Sequence, residues 1–363
     1  MQSDRKIPLI TVKGTHFEIG QQIGKQFSDE IKASNGAMIR DAETNKGITR
    51  DAIITQVRTY NPYVEKYTPH LVDELKGLAD GAGITYDEAL LLQCRFEVVG
   101  YAGVYKDKKK DGCTSFAITK EKTASDQVLI GQNADINEYI EKTLKIVHFI
   151  PDDGPRILMA SYYPGMIGWL GINSEGMACF GNAVLSPGWR PGFPRYFTLR
   201  KVLESTTVKD AIKFINDAHT ASTINVIMAD KTGDTKDVEI GIDKSAVIEP
   251  VGGVIAHANH YLDLELQKKD LLLPVSPNSP LRYGQMLNRL LQLVQKKENV
   301  TMDACKEILC DHTNFPHSIC YHVEKEDPLR LKTIMSIVAN PEDGYFDVCW
   351  GNPCMNSFFT YKV

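Results

Sequence analysis

Two textures divide the chain. Up to residue 112 the apolar positions recur mainly at three-to-four spacing, the period of a helix with one buried face. A short first strand, IPLITVKG (7–14), opens this part. The segments HFEIGQQIGKQFSDEIKASNGAMI (16–39), DAIITQVRTYNPYVEKYT (51–68), PHLVDELKGLADGAGI (69–84) and ITYDEALLLQCRFEVVGYAG (84–103) each predict a helix. Pro69 suits a first helical turn, Thr85 an N-cap, and Gly81 with Gly83 a stop. Gly20 and Gly24 fall one turn apart on one face, where a second backbone can approach closely. The run YKDKKKDG (105–112) is polar and predicts an exposed turn.

From residue 113 the pattern shortens. TSFAIT, VLIGQN, TLKIVHFI, RILMASYY, GWLGIN, MACFGNAV, TINVIMAD, VEIGI, AVIEPV and GVIAHANH predict strands, separated by turn signals such as DDGP, NSEG and DKTGD. Two helical blocks interrupt them: RYFTLRKVLES with TVKDAIKFINDAH, and SPLRYGQMLNRLLQLVQKK with TMDACKEILCDH. KTIMSIVAN, YFDVCWG and SFFTYKV return to strands. Many strands with helices in separate blocks predict layered α+β architecture.

The 363 residues are 43% hydrophobic and 24% charged, enough for a large core. A net charge of −5 argues against a nucleic-acid partner, which needs a basic surface. No apolar run approaches eighteen residues, so no membrane span is expected. The start, MQSDRKIPLITVKG, carries no apolar signal region. The eight cysteines are therefore expected as reduced thiols in a cytoplasmic protein.

No G-x-S-x-G, Walker A, H-E-x-x-H or G-x-G-x-x-G pattern occurs. Four places carry candidate chemistry. Cys305, Cys310, His312, His317, Cys320 and His322 are dense in metal-ligand types, but their spacing matches no strong zinc pattern. Core thiols on a helix, with polar loop histidines after it, is the plainer reading, and no metal is expected. His257 and Asn259 share a face at the end of an apolar strand, and His257 is a candidate base for a thiolate. Asp135, in GQNAD, follows an apolar strand, where a turn competes with a carboxylate that orients a nucleophile.

The fourth place is Gly112-Cys113, where the charged run meets an apolar strand. Most unpaired cysteines are small core residues. If the bond before Cys113 breaks, its thiol becomes a nucleophile with a base on the same residue. The freed α-amine has an ordinary pKa of about 7.7–8.0, near what a base at neutral pH needs. Gly112 leaves its carbonyl unshielded by a side chain.

DGCTS (111–115) and GQNADI (131–136) resemble the acyl-CoA:6-aminopenicillanic acid acyltransferase family of N-terminal nucleophile (Ntn) hydrolases. FEIGQQIG, ELKGLADGAGIT, GINSEGMACFGNAV, GWRPGFPRYFTLRKVLEST, ANHY, SPLRYGQM, FPHSICYH and GNPC continue the resemblance in order along the chain. It implies an αββα sandwich with a helical N-terminal segment, cut between Gly112 and Cys113 into 1–112 and 113–363, which stay together as one unit. It implies Cys113 as nucleophile, Asp135 as the carboxylate on its amine, and Asn259 and Asn182 as groups at the oxyanion. Arg282 matches an arginine beside the nucleophile, while Ala134, His260 and Tyr321 fall at the substrate pocket. It moves His257 from base to neighbour and the 305–322 cluster to the pocket wall.

The fungal acyltransferase has arginine after its SIC run, associated with the substrate's carboxylate; here the residue is Tyr321, which supplies no permanent cation or bidentate fork. Ala134 replaces a bulky aromatic, which reshapes the acyl pocket. The expected substrate is therefore a small acyl amide or acyl thioester, with acyl-CoA admitted as co-substrate and no cofactor. A homodimer is compatible with this reading. Two other readings stand beside it: an unprocessed hydrolase using a Cys113–His257 dyad, and a non-catalytic binding module of the same fold.

Overall fold

Glycine brings the first helices together. In the computed structural model, which describes residues 5–100, 112–324 and 330–363, strand β1 (Leu9–Gly14) leads into helix α1 (His16–Gln26). α1 lies across α5 (Pro69–Ala82) with almost no side chain between them. A Cβ on Gly20 would sit 1.9 Å from the Glu74 carbonyl oxygen, and one on Gly77 1.9 Å from that of Phe17. The face predicted from Gly20 and Gly24 is thus real, and α5 answers it with Gly77 and Gly81. Gly81 is spent on this crossing; the helix stops at Gly83, in the left-handed conformation that favours glycine.

The long 16–39 and 51–68 predictions each divide in two. α2 (Ser28–Lys46) starts afresh after Phe27, and α3 (Arg50–Arg58) and α4 (Asn61–Tyr67) are separate. In the second case the break precedes Pro62, which suits a first helical turn. α6 (Tyr86–Arg95) begins at Thr85, whose side chain forms a capping box with Glu88. The predicted exposed turn over 105–112 lies outside the described residues except for Gly112.

The strands assemble into two sheets. β4 (Lys145–Pro151), β5 (Ile157–Ser161), β6 (Gly171–Asn173), β7 (Ala178–Asn182), β8 (Ile224–Ala229), β9 (Thr235–Ile240) and β10 (Ser245–Ile248) follow β1 in an eight-stranded sheet. β1 joins it by parallel pairing with β4, from Leu9 opposite Ile146 to Gly14 opposite Pro151. β2 (Gly112–Ile118), β3 (Leu129–Asn137), β11 (Val254–His257), β12 (Leu331–Asn340), β13 (Tyr345–Trp350) and β14 (Phe358–Lys362) form the second sheet, in the order β11-β2-β3-β12-β13-β14.

The sheets pack face to face through β2 and β3 against β7 and β8. α7 (Arg195–Leu203) and α8 (Val208–Asp217) cover the outside of the first sheet. The short α9 (Leu264–Gln267) precedes α10 (Ser279–Leu293) and α11 (Met302–Leu309), which cover the outside of the second. This is the four-layer αββα arrangement. Phe116, Ile118 and Val254 pack under α10 and α11 with Met286 and Ile308, while Ala117, Ile130 and Ile255 belong to the main core. Strand alternation therefore gives β2 one face toward the helices and one toward the other sheet.

A buried ion pair joins the helical segment to the rest. The Arg200 guanidinium on α7 meets the Glu74 carboxylate on α5 through two hydrogen bonds of 3.2 and 3.0 Å, with both side chains buried. Among the described residues no helix is long and apolar enough to cross a membrane.

Candidate active site

Groups from both sheets and from α10 converge on the start of β2. The antiparallel register sets Gly112 opposite Asp135 and Cys113 opposite Ala134 on β3. Gly112 and Cys113 are partly exposed, whereas residues 114–118 are buried. Cys113 and Ser115 share the face toward the other sheet. Ser115 confirms that direction, because its Oγ donates to Asn182 Oδ1, at the end of β7, at 2.6 Å.

Both polar backbone groups of Cys113 are held by side chains. Its N–H donates to Asn259 Oδ1 at 2.8 Å. Its carbonyl accepts from Asn182 Nδ2 at 3.2 Å and from Arg282 Nη1 at 2.5 Å. Arg282 also donates to Thr114 Oγ1 at 2.7 Å and to Asn259 Oδ1 at 2.9 Å. Two donors meet on Asn259 Oδ1, which fixes that amide's orientation. Its Nδ2 then donates to the Ala183 carbonyl at 3.0 Å. The Asn259 N–H donates to Ser279 Oγ, leaving that hydroxyl to donate to His260 Nδ1; both contacts measure 2.7 Å. Burial, with the nearby charges of His257 and Arg282, pushes the His260 imidazole down to about 4, so it is neutral at pH 7.

Asp135 is half satisfied. Its Oδ1 accepts from Thr333 Oγ1 at 2.6 Å, while Oδ2 is buried with no hydrogen-bond partner among the described residues. A Cβ on Gly112 would lie 3.0 Å from that oxygen, so glycine permits the close approach. Burial raises the Asp135 carboxyl to about 7, against the opposing pull of Arg282 and the Thr333 hydroxyl. Thr333 reaches it from a bulge in β12, between Thr333 and Met335. Such a bulge re-aims a side chain next to a site.

The structure thus brings Gly112, Cys113, Ala134, Asp135, Asn182, Asn259 and Arg282 together, with His260 behind Ser279. His257 is engaged elsewhere. Its Nε2 meets Glu239 Oε1 and its Nδ1 the Ala258 carbonyl, both at 2.8 Å. Both partners are acceptors, so the ring carries both protons. Burial disfavours that charge, but Asp237 and Glu239 overcome it and raise the pKa. An imidazolium has no lone pair with which to take a thiol proton, which counts against the dyad. Tyr321 is buried, its hydroxyl donates to Glu324 Oε1 at 2.6 Å, and its N–H donates to the same Thr333 hydroxyl that serves Asp135.

Sequence reasoning missed Thr333 and Ser279. Thr333 sits in an apolar strand and owes its position to the bulge, which leaves no local sequence signal. The cysteine and histidine run divides. Cys305 is a buried core thiol, as expected, but His312, Cys320 and His322 converge with Cys354 from the β13–β14 connection.

A model of the acyl-coenzyme A:6-aminopenicillanic acid acyl-transferase family matches residues 121–354. The chain belongs to that family. The 40 kDa form of acyl-coenzyme A:6-aminopenicillanic-acid-acyltransferase from Emericella nidulans is 29% identical over 333 residues, covering 91% of this chain and 88% of that protein. The beta-alanyl-dopamine/carcinine hydrolase of Drosophila melanogaster is 25% identical over 234 residues, 58% of each chain. The solved structure of a Caenorhabditis elegans ortholog of N-acylethanolamine-hydrolyzing acid amidase is 18% identical. It covers 63% of this chain and 93% of its own, with a TM-score of 0.45. As a member of this acyltransferase family, the chain is an enzyme of acyl transfer or amide hydrolysis.

Proposed function

We propose that the chain cuts itself between Gly112 and Cys113 and then uses Cys113 as an N-terminal nucleophile on an acyl amide or acyl thioester. In the cut, the Cys113 thiol loses its proton and attacks the Gly112 carbonyl carbon. Collapse breaks the C–N bond and gives a thioester, with the proton passing to the departing amine. Water then cleaves the thioester, leaving a Gly112 carboxylate and a free Cys113 thiol. In turnover the α-amine takes the thiol proton and the thiolate attacks the acyl carbon; the substrate's C–N or C–S bond breaks, its amine or thiol leaves with that proton, and water or an amine then resolves the thioester.

The observation that carries this reading is the pairing of Gly112-Cys113 with Asn259 and Asp135. Asn259 Oδ1 already accepts from Cys113 N, and the unpartnered Asp135 Oδ2 faces Gly112. A freed ammonium there would give that oxygen a donor and favour its charged form. Asn182 and Arg282 are donors at the same point. Asn259 Nδ2 gives one of its two hydrogens to the Ala183 carbonyl, which leaves the second as its donor for the oxyanion. Fragments 1–112 and 113–363 would remain one unit, because β1 lies within the eight-stranded sheet and Glu74 is bound to Arg200.

The substrate is read as a small acyl compound without a carboxylate at Tyr321, whose hydroxyl faces Glu324 and presents no cation. Ala134 stands opposite Cys113, and its small side chain supports reading the acyl group on that side, with acyl-CoA admitted as a donor. Intact-mass analysis tests the first step: wild-type protein should give two pieces, and Cys113→Ala one. A wild-type chain that stays whole while turning over an amide would sink the mechanism. A panel of acyl amides, with and without acyl-CoA, tests the second.

A further inference from the structure

We propose a structural zinc site formed by His312, Cys320, His322 and Cys354. The four ligand atoms all lie within 4.8 Å of one another. His312 Nε2 and His322 Nε2 are 3.0 Å apart, and Cys320 Sγ and Cys354 Sγ 3.6 Å apart. His322 Nε2 lies 3.5 Å from Cys320 Sγ and 3.3 Å from Cys354 Sγ. A zinc tetrahedron with bonds of about 2.3 Å to sulfur and about 2.05 Å to nitrogen has edges of about 3.8 Å (S–S), 3.3 Å (N–N) and 3.5 Å (N–S). Four of the six edges agree within a few tenths of an ångström, and the remaining two, from His312 to the two sulfurs, are bounded at 4.8 Å, so His312 closes in by up to about an ångström on binding. Soft thiolates with imidazoles in this geometry select zinc among common divalent ions.

The surroundings suit a thiolate site. Asn352 Nδ2 donates toward Cys320 Sγ at 3.5 Å, the kind of outer hydrogen bond that steadies a metal-bound sulfur. The loop carrying three of the ligands is pinned from beneath, because Asn133 Nδ2 donates to the carbonyls of Leu309 and Ile319 at 2.9 and 3.0 Å. Binding displaces the two thiol protons and leaves a neutral unit of one dication, two thiolates and two imidazoles. The ion joins the loop after α11 to the β13–β14 connection. It also clamps Tyr321 from both sides, since Cys320 and His322 flank it. This assignment stands whether or not the chain cuts itself.

The test is metal analysis of the full chain, purified reduced from zinc-supplemented culture without a metal-affinity tag. The wild type should carry about one zinc per chain, and Cys320→Ser and Cys354→Ser should lose most of it. Cys310→Ser, a neighbour outside the set, should keep it. In case the serine variants fail to fold, chelator-stripped wild type is titrated with Co²⁺. A thiolate-to-cobalt charge-transfer band should saturate near one equivalent and be displaced by zinc. Folded wild type that takes up neither metal would overturn the site. So would zinc retained in both serine variants, or a metal-free Cys320–Cys354 disulfide.

Discussion

The Cys113 N–H and the Arg282 guanidinium meet on one atom, Asn259 Oδ1, at 2.8 and 2.9 Å. Asn259→Ala would leave both donors without that acceptor, on either side of the proposed cut. Processing and later turnover should each fall about 10²-fold, the scale of losing one placed polar group at a reacting centre. Asn259→Asp retains the acceptor and should process faster than the alanine variant. A time course of fragment appearance decides it: equal rates for alanine and wild type would remove Asn259 from the reaction.

Asp135 makes the uncut chain sensitive to pH in an unusual direction. Burial raises its carboxyl from 3.8 to about 7, so the folded state holds the proton more tightly than the unfolded state does. The resulting stability is fully present below about pH 3.8 and is lost as pH rises through about 7. A shift of this size corresponds to something on the order of 4 kcal/mol. Denaturant melts of Cys113→Ala should therefore weaken between pH 5 and pH 8 relative to Cys113→Ala/Asp135→Asn. Identical pH profiles for the two proteins would mean that Asp135 is not held protonated.

The chain was legible wherever a local rule set the outcome. Alternation located the strands, Thr85 and Pro69 located helix starts, and Gly20 with Gly24 marked a contact face. Cys113, Asp135, Asn182, Asn259 and Arg282 are found together because the motifs that carry the resemblance fold onto one strand end. What was illegible is non-local. The answering glycines of α5, the bulge that aims Thr333, and the arrival of Cys354 beside His312, Cys320 and His322 all depend on partners distant in sequence. The two split helices fail for another reason: apolar spacing continues smoothly across Phe27 and across Tyr60, so periodicity registers no break there.

The α1–α5 crossing should tolerate no added carbon. Gly20→Ala places a methyl 1.9 Å from the Glu74 carbonyl oxygen, so the helices must separate. A loss of about 3 kcal/mol is expected. Gly284, exposed on α10 with nothing near its missing Cβ, should behave oppositely. Gly284→Ala should gain about 0.5–1 kcal/mol. Thermal or denaturant unfolding of the two variants checks both signs.

The Arg200–Glu74 pair should matter most when one partner is removed. Arg200→Ala leaves the buried Glu74 carboxylate to His16 alone among the described residues and takes the guanidinium from Glu204, and should cost about 3–5 kcal/mol. Replacing both partners with apolar residues, as Arg200→Met/Glu74→Leu, should recover only part of that loss, because His16 and Glu204 each still lose a partner. Denaturant unfolding of the Cys113→Ala background gives the comparison. In processed protein the same single variant should let the two pieces part at lower denaturant.

β1 stands at the edge of the eight-stranded sheet, and among the described residues it is the strand of that sheet supplied from ahead of Cys113. Its removal would bare the backbone of β4 along Lys145–Pro151, a row of unsatisfied amides and carbonyls that could recruit a strand from another molecule. Expressed from residue 113 onward, the chain should therefore be prone to self-association. The leading segment then serves as a permanent guard on that edge, and a protein cut at Gly112 would have reason to keep the piece it has severed.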